Sequence, residues 1–142
     1  MNRDNILSLF IILIPIVLVS FPTLFIDMKD YGKKISFRPP PIVFSFVWPI
    51  LLILVGISWY ISLNSPNIIF ILFVILTLLL ASWTIIYKYS KVSGLINILL
   101  SFITCLYLAI SLFKINKTSS ILLIPLVIWL IFAGILNINS IK

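Results

Sequence analysis

Ile42-Val-Phe-Ser-Phe-Val-Trp-Pro-Ile-Leu-Leu-Ile-Leu-Val-Gly-Ile-Ser-Trp-Tyr-Ile-Ser-Leu63 contains no Asp, Glu, Lys, Arg or His. A helix of about 20 apolar residues, rising 1.5 Å per residue, spans a hydrocarbon core of about 30 Å. Only helices and closed barrels can cross such a core, because both satisfy every backbone N–H and C=O internally. A barrel strand would alternate apolar and polar residues with a period of two. This stretch is apolar at consecutive positions, so it predicts a transmembrane helix. Pro39-Pro40-Pro41 stands just before it, where a helix tolerates proline at or ahead of its first turn.

Four more runs of the same kind flank it. Ile6 to Ile26 comes first and contains Pro15, which predicts a bend that neighbouring helices accommodate. It is too long for the apolar region of a signal peptide and lacks a small-x-small cleavage site after it, so it reads as a retained span. Residues 68–87, 92–113 and 119–139 complete the set. Short polar turns separate them: Asn64-Ser-Pro-Asn67, Lys88-Tyr-Ser-Lys91 and Lys114-Ile-Asn-Lys-Thr118. The expectation is an all-α membrane protein, a five-transmembrane-helix bundle, with residues 1–142 forming one domain.

Composition agrees: 63% of the 142 residues are hydrophobic and 9% charged, against about a quarter charged in soluble domains. Lys and Arg outnumber Asp and Glu by 10 to 3. The cations cluster between the apolar runs, the pattern of membrane topology rather than of nucleic-acid binding. Five spans put the termini on opposite faces. Arg3, Lys114 and Lys117 fall on one face; Lys29, Lys33, Lys34, Arg38, Lys88, Lys91 and Lys142 fall on the other. The positive-inside rule then predicts a cytoplasmic first loop and carboxyl terminus. With no His and a single cysteine, Cys105, the chain has no material for an internal disulfide or a His/Cys metal site.

No ionisable Asp, Glu, Lys, Arg or His lies inside a span. Energised transporters and voltage sensors usually need one there, and general acid–base chemistry has no conventional group to use. In the fourth span Asn97, Ser101, Cys105 and Ala109 recur every four residues and share one helix face. A close helix–helix contact is the favoured reading of that stripe, ahead of a ligand contact. Trp59, Tyr60, Trp83, Tyr87 and Tyr89 lie near span ends, as in an interfacial aromatic belt. Trp48 and Trp129 instead lie near mid-span, where an indole N–H needs a polar cavity, a ligand or a packed partner.

The segment around these tryptophans resembles the signature of the TspO/MBR family of tryptophan-rich sensory and translocator proteins. Lys34, Pro39, Pro40, Val43, Phe44, Val47, Trp48, Leu51 and Gly56 match its second-helix motif, and Pro125, Trp129, Phe132, Ala133, Leu136 and Asn137 match its fifth-helix motif. Trp83-Thr84 and Tyr87 are weaker matches in the third helix. The chain departs from the pattern at Ile35, Phe37, Leu52 and Leu126, which replace Pro, Trp and two Tyr. It departs again at Leu76 and Leu80, where Gln and Asn are usual.

The resemblance implies a five-helix bundle, often a homodimer, with a porphyrin pocket opening toward the first loop. The implied ligand is protoporphyrin IX or a haem-like macrocycle, with no cofactor required. Phe44, Trp48, Trp129, Phe132 and Ala133 would contact it, and Lys34 and Arg38 would meet its carboxylates. Trp48 and Trp129 are the implied catalytic pair if the protein breaks porphyrin down under light; transport and sensing are the other implied roles. A non-enzymatic membrane scaffold, or a regulatory protein binding lipid or sterol, is the alternative. The family's sterol motif needs a Tyr that the Asn137-Ile-Asn-Ser-Ile-Lys142 tail lacks, so no cholesterol binding through it is expected.

Overall fold

Each apolar run becomes one helix, and the bounds of each follow from residues that cannot continue it. The structure is a computed structural model that describes residues 3–26 and 35–141. The helices are α1 (Arg3–Thr23), α2 (Pro41–Ile61), α3 (Asn67–Tyr89), α4 (Lys91–Ile115) and α5 (Lys117–Ile141). All five are long and apolar enough to cross a membrane. Their ends lie one to three residues beyond the expected spans, except that α1 and α2 stop three and two residues earlier, at Thr23 and Ile61. Lys29, Lys33, Lys34 and Lys142, four of the seven cations assigned to one face, lie outside the described residues.

Proline opens α2 at its first position and Pro66 precedes α3, using residues with no N–H to donate where a helix has no acceptor to offer. Ser90 caps α4 by accepting from the Ser93 backbone N–H at 3.2 Å, and Asn116 Oδ1 accepts from the Ser119 N–H at 3.1 Å at the start of α5. Each satisfies one of the free donors of a first helical turn. With a single residue between α3 and α4 and between α4 and α5, those helices pack as antiparallel neighbours.

The helices pack in a closed ring, α1–α2–α5–α4–α3 and back to α1. The fifth helix therefore sits between the second and the fourth. At the face carrying the start of α1 the interior is closely packed. Ser58 and Ser119 exchange hydrogen bonds there: Ser58 Oγ donates to the Ser119 carbonyl at 2.7 Å, and Ser119 Oγ to the Ser58 carbonyl at 2.8 Å. Ser120 Oγ donates to the Ala109 carbonyl, tying α5 to α4. In lipid such bonds and close small-residue contacts replace the hydrophobic drive of a soluble core. Gly56 shows how close: a Cβ there would lie 2.0 Å from the Ile12 carbonyl oxygen of α1.

The aromatic belt expected at the span ends is only partly formed. Tyr60 and Tyr89 are exposed at helix ends. Trp59, however, is 3% exposed and stacks on Phe73 of α3, with ring centroids 5.7 Å apart and planes 4° apart. Tyr87 is also buried, its ring 5.1 Å from that of Trp83. The physical reason is rotational: a ring near a helix end can face the bundle as easily as the interface, and only packing decides.

Candidate functional site

At the opposite face, toward the ends of α1, α3 and α5, the interior of the ring is not filled by side chains. It encloses a cavity of about 640 Å³, within the range of small-molecule sites. Each helix contributes a pair of residues four apart: Val19 and Thr23, Phe44 and Trp48, Leu80 and Thr84, Asn97 and Ser101, Trp129 and Ala133. That spacing repeats because residues i and i+4 stack on one helix face, here the face turned inward. Leu24, Phe25, Ile26 and Arg38 from the α1–α2 connection line the same cavity.

The ring order decides the aromatic wall. Because α5 lies beside α2, Trp129 meets Trp48 edge-to-face at 6.2 Å and 87°, and meets Phe44 at 5.7 Å and 72°. Such T-shaped pairs place a ring edge against the electron-rich face of its neighbour. Phe132 packs on Trp129 at 5.3 Å without lining the cavity itself. Of the residues expected to contact a ligand, Phe44, Trp48, Trp129, Ala133 and Arg38 therefore line one space. Phe132 braces that wall from behind, and Lys34 falls outside the described residues.

The remaining walls were not anticipated as a site. Leu80, Trp83 and Thr84 come from α3, Asn97, Ile98 and Ser101 from α4, and Leu130 and Leu136 from α5. The four-residue stripe on α4 divides. Cys105 and Ala109 pack against α5, where the Cys105 thiol points to the Leu123 carbonyl and Ala109 accepts from Ser120. Asn97 and Ser101 face the cavity, while the Asn97 side chain also donates to Ser82 Oγ of α3 at 3.1 Å. The expected helix–helix contact and the cavity wall are thus both made by one stripe. The sequence signal for the cavity half was the polar pair itself, amid apolar neighbours.

Among the described residues, Arg38 is the one charged residue lining the cavity, and no carboxylate, histidine or cysteine does. The described walls therefore offer apolar area, aromatic rings and a cation near the connecting loop, and no proton-transfer group among them.

This chain matches the sequence profile of the TspO/MBR family over residues 10–142. The chain belongs to the TspO/MBR family. It is also similar to the tryptophan-rich protein TspO of Chlorobaculum tepidum, with 30% identity over 119 residues, 77% of this chain and 74% of that protein. As a TspO/MBR protein with five apolar spanning helices, it is a multi-pass integral membrane protein. The residues of the second- and fifth-helix motifs of the TspO/MBR signature, distant in the chain, meet through the contact of α2 with α5.

Proposed function

We propose that the cavity binds a flat, largely apolar dicarboxylate of the porphyrin type. The observation that carries this reading is the aromatic wall of Phe44, Trp48 and Trp129 in a 640 Å³ cavity with Arg38 in its lining. A planar macrocycle buries its faces against such rings, while its carboxylates accept charge-assisted hydrogen bonds from Arg38, and from Lys34 on the same loop. Membership of the TspO/MBR family supports the same ligand class. The proposal includes a cytoplasmic first loop and carboxyl terminus, from the charge asymmetry of the loops.

The test is a titration of protoporphyrin IX into the purified protein in nanodiscs, read from the Soret band of the ligand against empty nanodiscs. Saturable binding is expected, weakened at least tenfold by the double substitution Trp48→Phe and Trp129→Phe. Unsaturable partition, or equal binding by the double variant, refutes the pocket. Native mass spectrometry that finds only phospholipid in the protein favours the scaffold or lipid-binding alternative instead.

When bound porphyrin is photoexcited in the presence of dioxygen, Trp48 and Trp129 are the oxidisable side chains of the aromatic wall in this reading, with Trp83 also in the cavity lining. Loss of the Soret band faster than in empty nanodiscs, abolished by the same double substitution, would support porphyrin breakdown as an activity beyond binding.

A further inference from the structure

The α3–α4 wall of the cavity carries polar atoms that the protein leaves without partners. In an apolar helix a Ser or Thr hydroxyl normally donates to a carbonyl of the preceding turn. Thr77 does so to Phe73, Thr104 to Leu100, Ser82 to Leu79 and Ser101 to Asn97. Thr84, 7% exposed, does not: its hydroxyl is buried at the cavity with no partner. Asn97, 5% exposed, is the second case, with Oδ1 buried and unpartnered.

The orientation of the Asn97 amide follows from its neighbours. The one proton of Ser82 Oγ is committed to the Leu79 carbonyl, so Ser82 can only accept from Asn97. With the amide reversed, Ser82 would have to release the Leu79 carbonyl to donate to Oδ1, and the two hydrogen bonds now made would become one. The Nδ2 group therefore belongs on Ser82 and Oδ1 remains an acceptor. Ser101 cannot serve it, because its proton is committed to the Asn97 backbone carbonyl. An unmatched acceptor and an unmatched hydroxyl on two residues lining one cavity, both inside the hydrocarbon span, are destabilising, and a complementary ligand group relieves them.

We propose that this wall is a specificity subsite for a neutral ligand group that both donates and accepts a hydrogen bond, a hydroxyl or a secondary amide. The group donates to Asn97 Oδ1 and accepts from Thr84 Oγ1. A cationic donor is not matched here, since among the described residues no carboxylate lines the cavity to compensate a charge and Arg38 already places a cation in it. With Leu80 at a position where the family pattern has a polar residue, Asn97 and Thr84 supply the unpartnered oxygens of this wall. The inference rests on the reading of the cavity as a ligand site, and adds which polar group that ligand bears.

The test compares two probes with the same macrocycle and the same two propionates: haematoporphyrin, with two hydroxyethyl groups, and protoporphyrin IX, with two vinyl groups. Affinities are measured in nanodiscs and corrected for partition into empty ones. One added hydrogen bond predicts about a fivefold preference of the wild type for haematoporphyrin. Asn97→Leu abolishes or reverses that preference, and Thr84→Val, an isosteric change that leaves Ser82 and Asn97 paired, reduces it.

If neither porphyrin binds, the porphyrin reading falls, and the subsite is read instead with 2-naphthol against 2-methoxynaphthalene, where the same preference and the same losses are expected. Absence of a hydroxyl preference in the wild type, or its persistence in both variants, overturns the proposal. Should Asn97→Leu fail to fold, Thr84→Val alone decides.

Discussion

Substituting Gly56 tests the packing that holds the first helix to the bundle. A Cβ at 56 would lie 2.0 Å from the Ile12 carbonyl oxygen and 2.8 Å from the Ile12 Cα. That is roughly 1.5 Å inside ordinary contact distance, and the obstacle is backbone, which no rotamer change relieves. In Gly56→Ala the first helix must therefore move outward along its seam with α2. Overpacking in a close-packed interior costs about 1–3 kcal/mol. A backbone obstacle puts this case at about 3 kcal/mol. Gly134→Ala is the internal control, because its added methyl would meet only Ile98 Cγ2 at 3.7 Å. Its effect should lie within about 1 kcal/mol of zero, on the stabilising side given the helix propensity of alanine. Helix content followed during SDS titration of the mixed-micelle protein gives both values. Because α1 lines the cavity through Val19 and Thr23, Gly56→Ala should also weaken ligand binding, whereas Gly134→Ala should not. Equal stability of the two variants would refute the inference that α1 and α2 meet backbone to backbone at Gly56.

The reciprocal pair of Ser58 and Ser119 predicts non-additivity. Each single alanine variant should lose about 1 kcal/mol, and the double variant less than the sum, in a double-mutant cycle of unfolding. Arg38→Gln should weaken protoporphyrin binding about tenfold, the loss of a hydrogen bond to a charged group. It should also flatten the salt dependence of binding, while leaving an esterified porphyrin unaffected. Cys105 is fully buried between α4 and α5, so N-ethylmaleimide should label it only after denaturation in SDS. Labelling of the folded protein at the denatured rate would contradict that placement.

Much of the architecture is legible in the chain because lipid leaves little choice. Runs such as residues 42–63 must satisfy their own backbone hydrogen bonds, so their length alone specifies five spanning helices. Proline at 41 and 66 and the capping side chains of Ser90 and Asn116 locate most of the ends. The second- and fifth-helix motifs marked Phe44, Trp48, Trp129 and Ala133 as a group. What periodicity did not reveal is which side of each helix turns inward. In a helix apolar on all sides, a leucine facing lipid and a leucine facing the bundle look alike, and so do Trp59 in the interior and Tyr60 beside it at the surface.

The sequence by itself determined the number of spans, their limits within a few residues, and the absence of charge inside them. Only the tertiary structure decided the ring order, with α5 between α2 and α4. It brings Trp48 against Trp129 and turns Thr84 and Asn97 toward a common cavity. Spanning is a property of each segment on its own, fixed by the mismatch between backbone polarity and hydrocarbon. A cavity is a property of five faces at once. It depends on where Gly56 lets two backbones touch and where larger side chains hold the other helices apart.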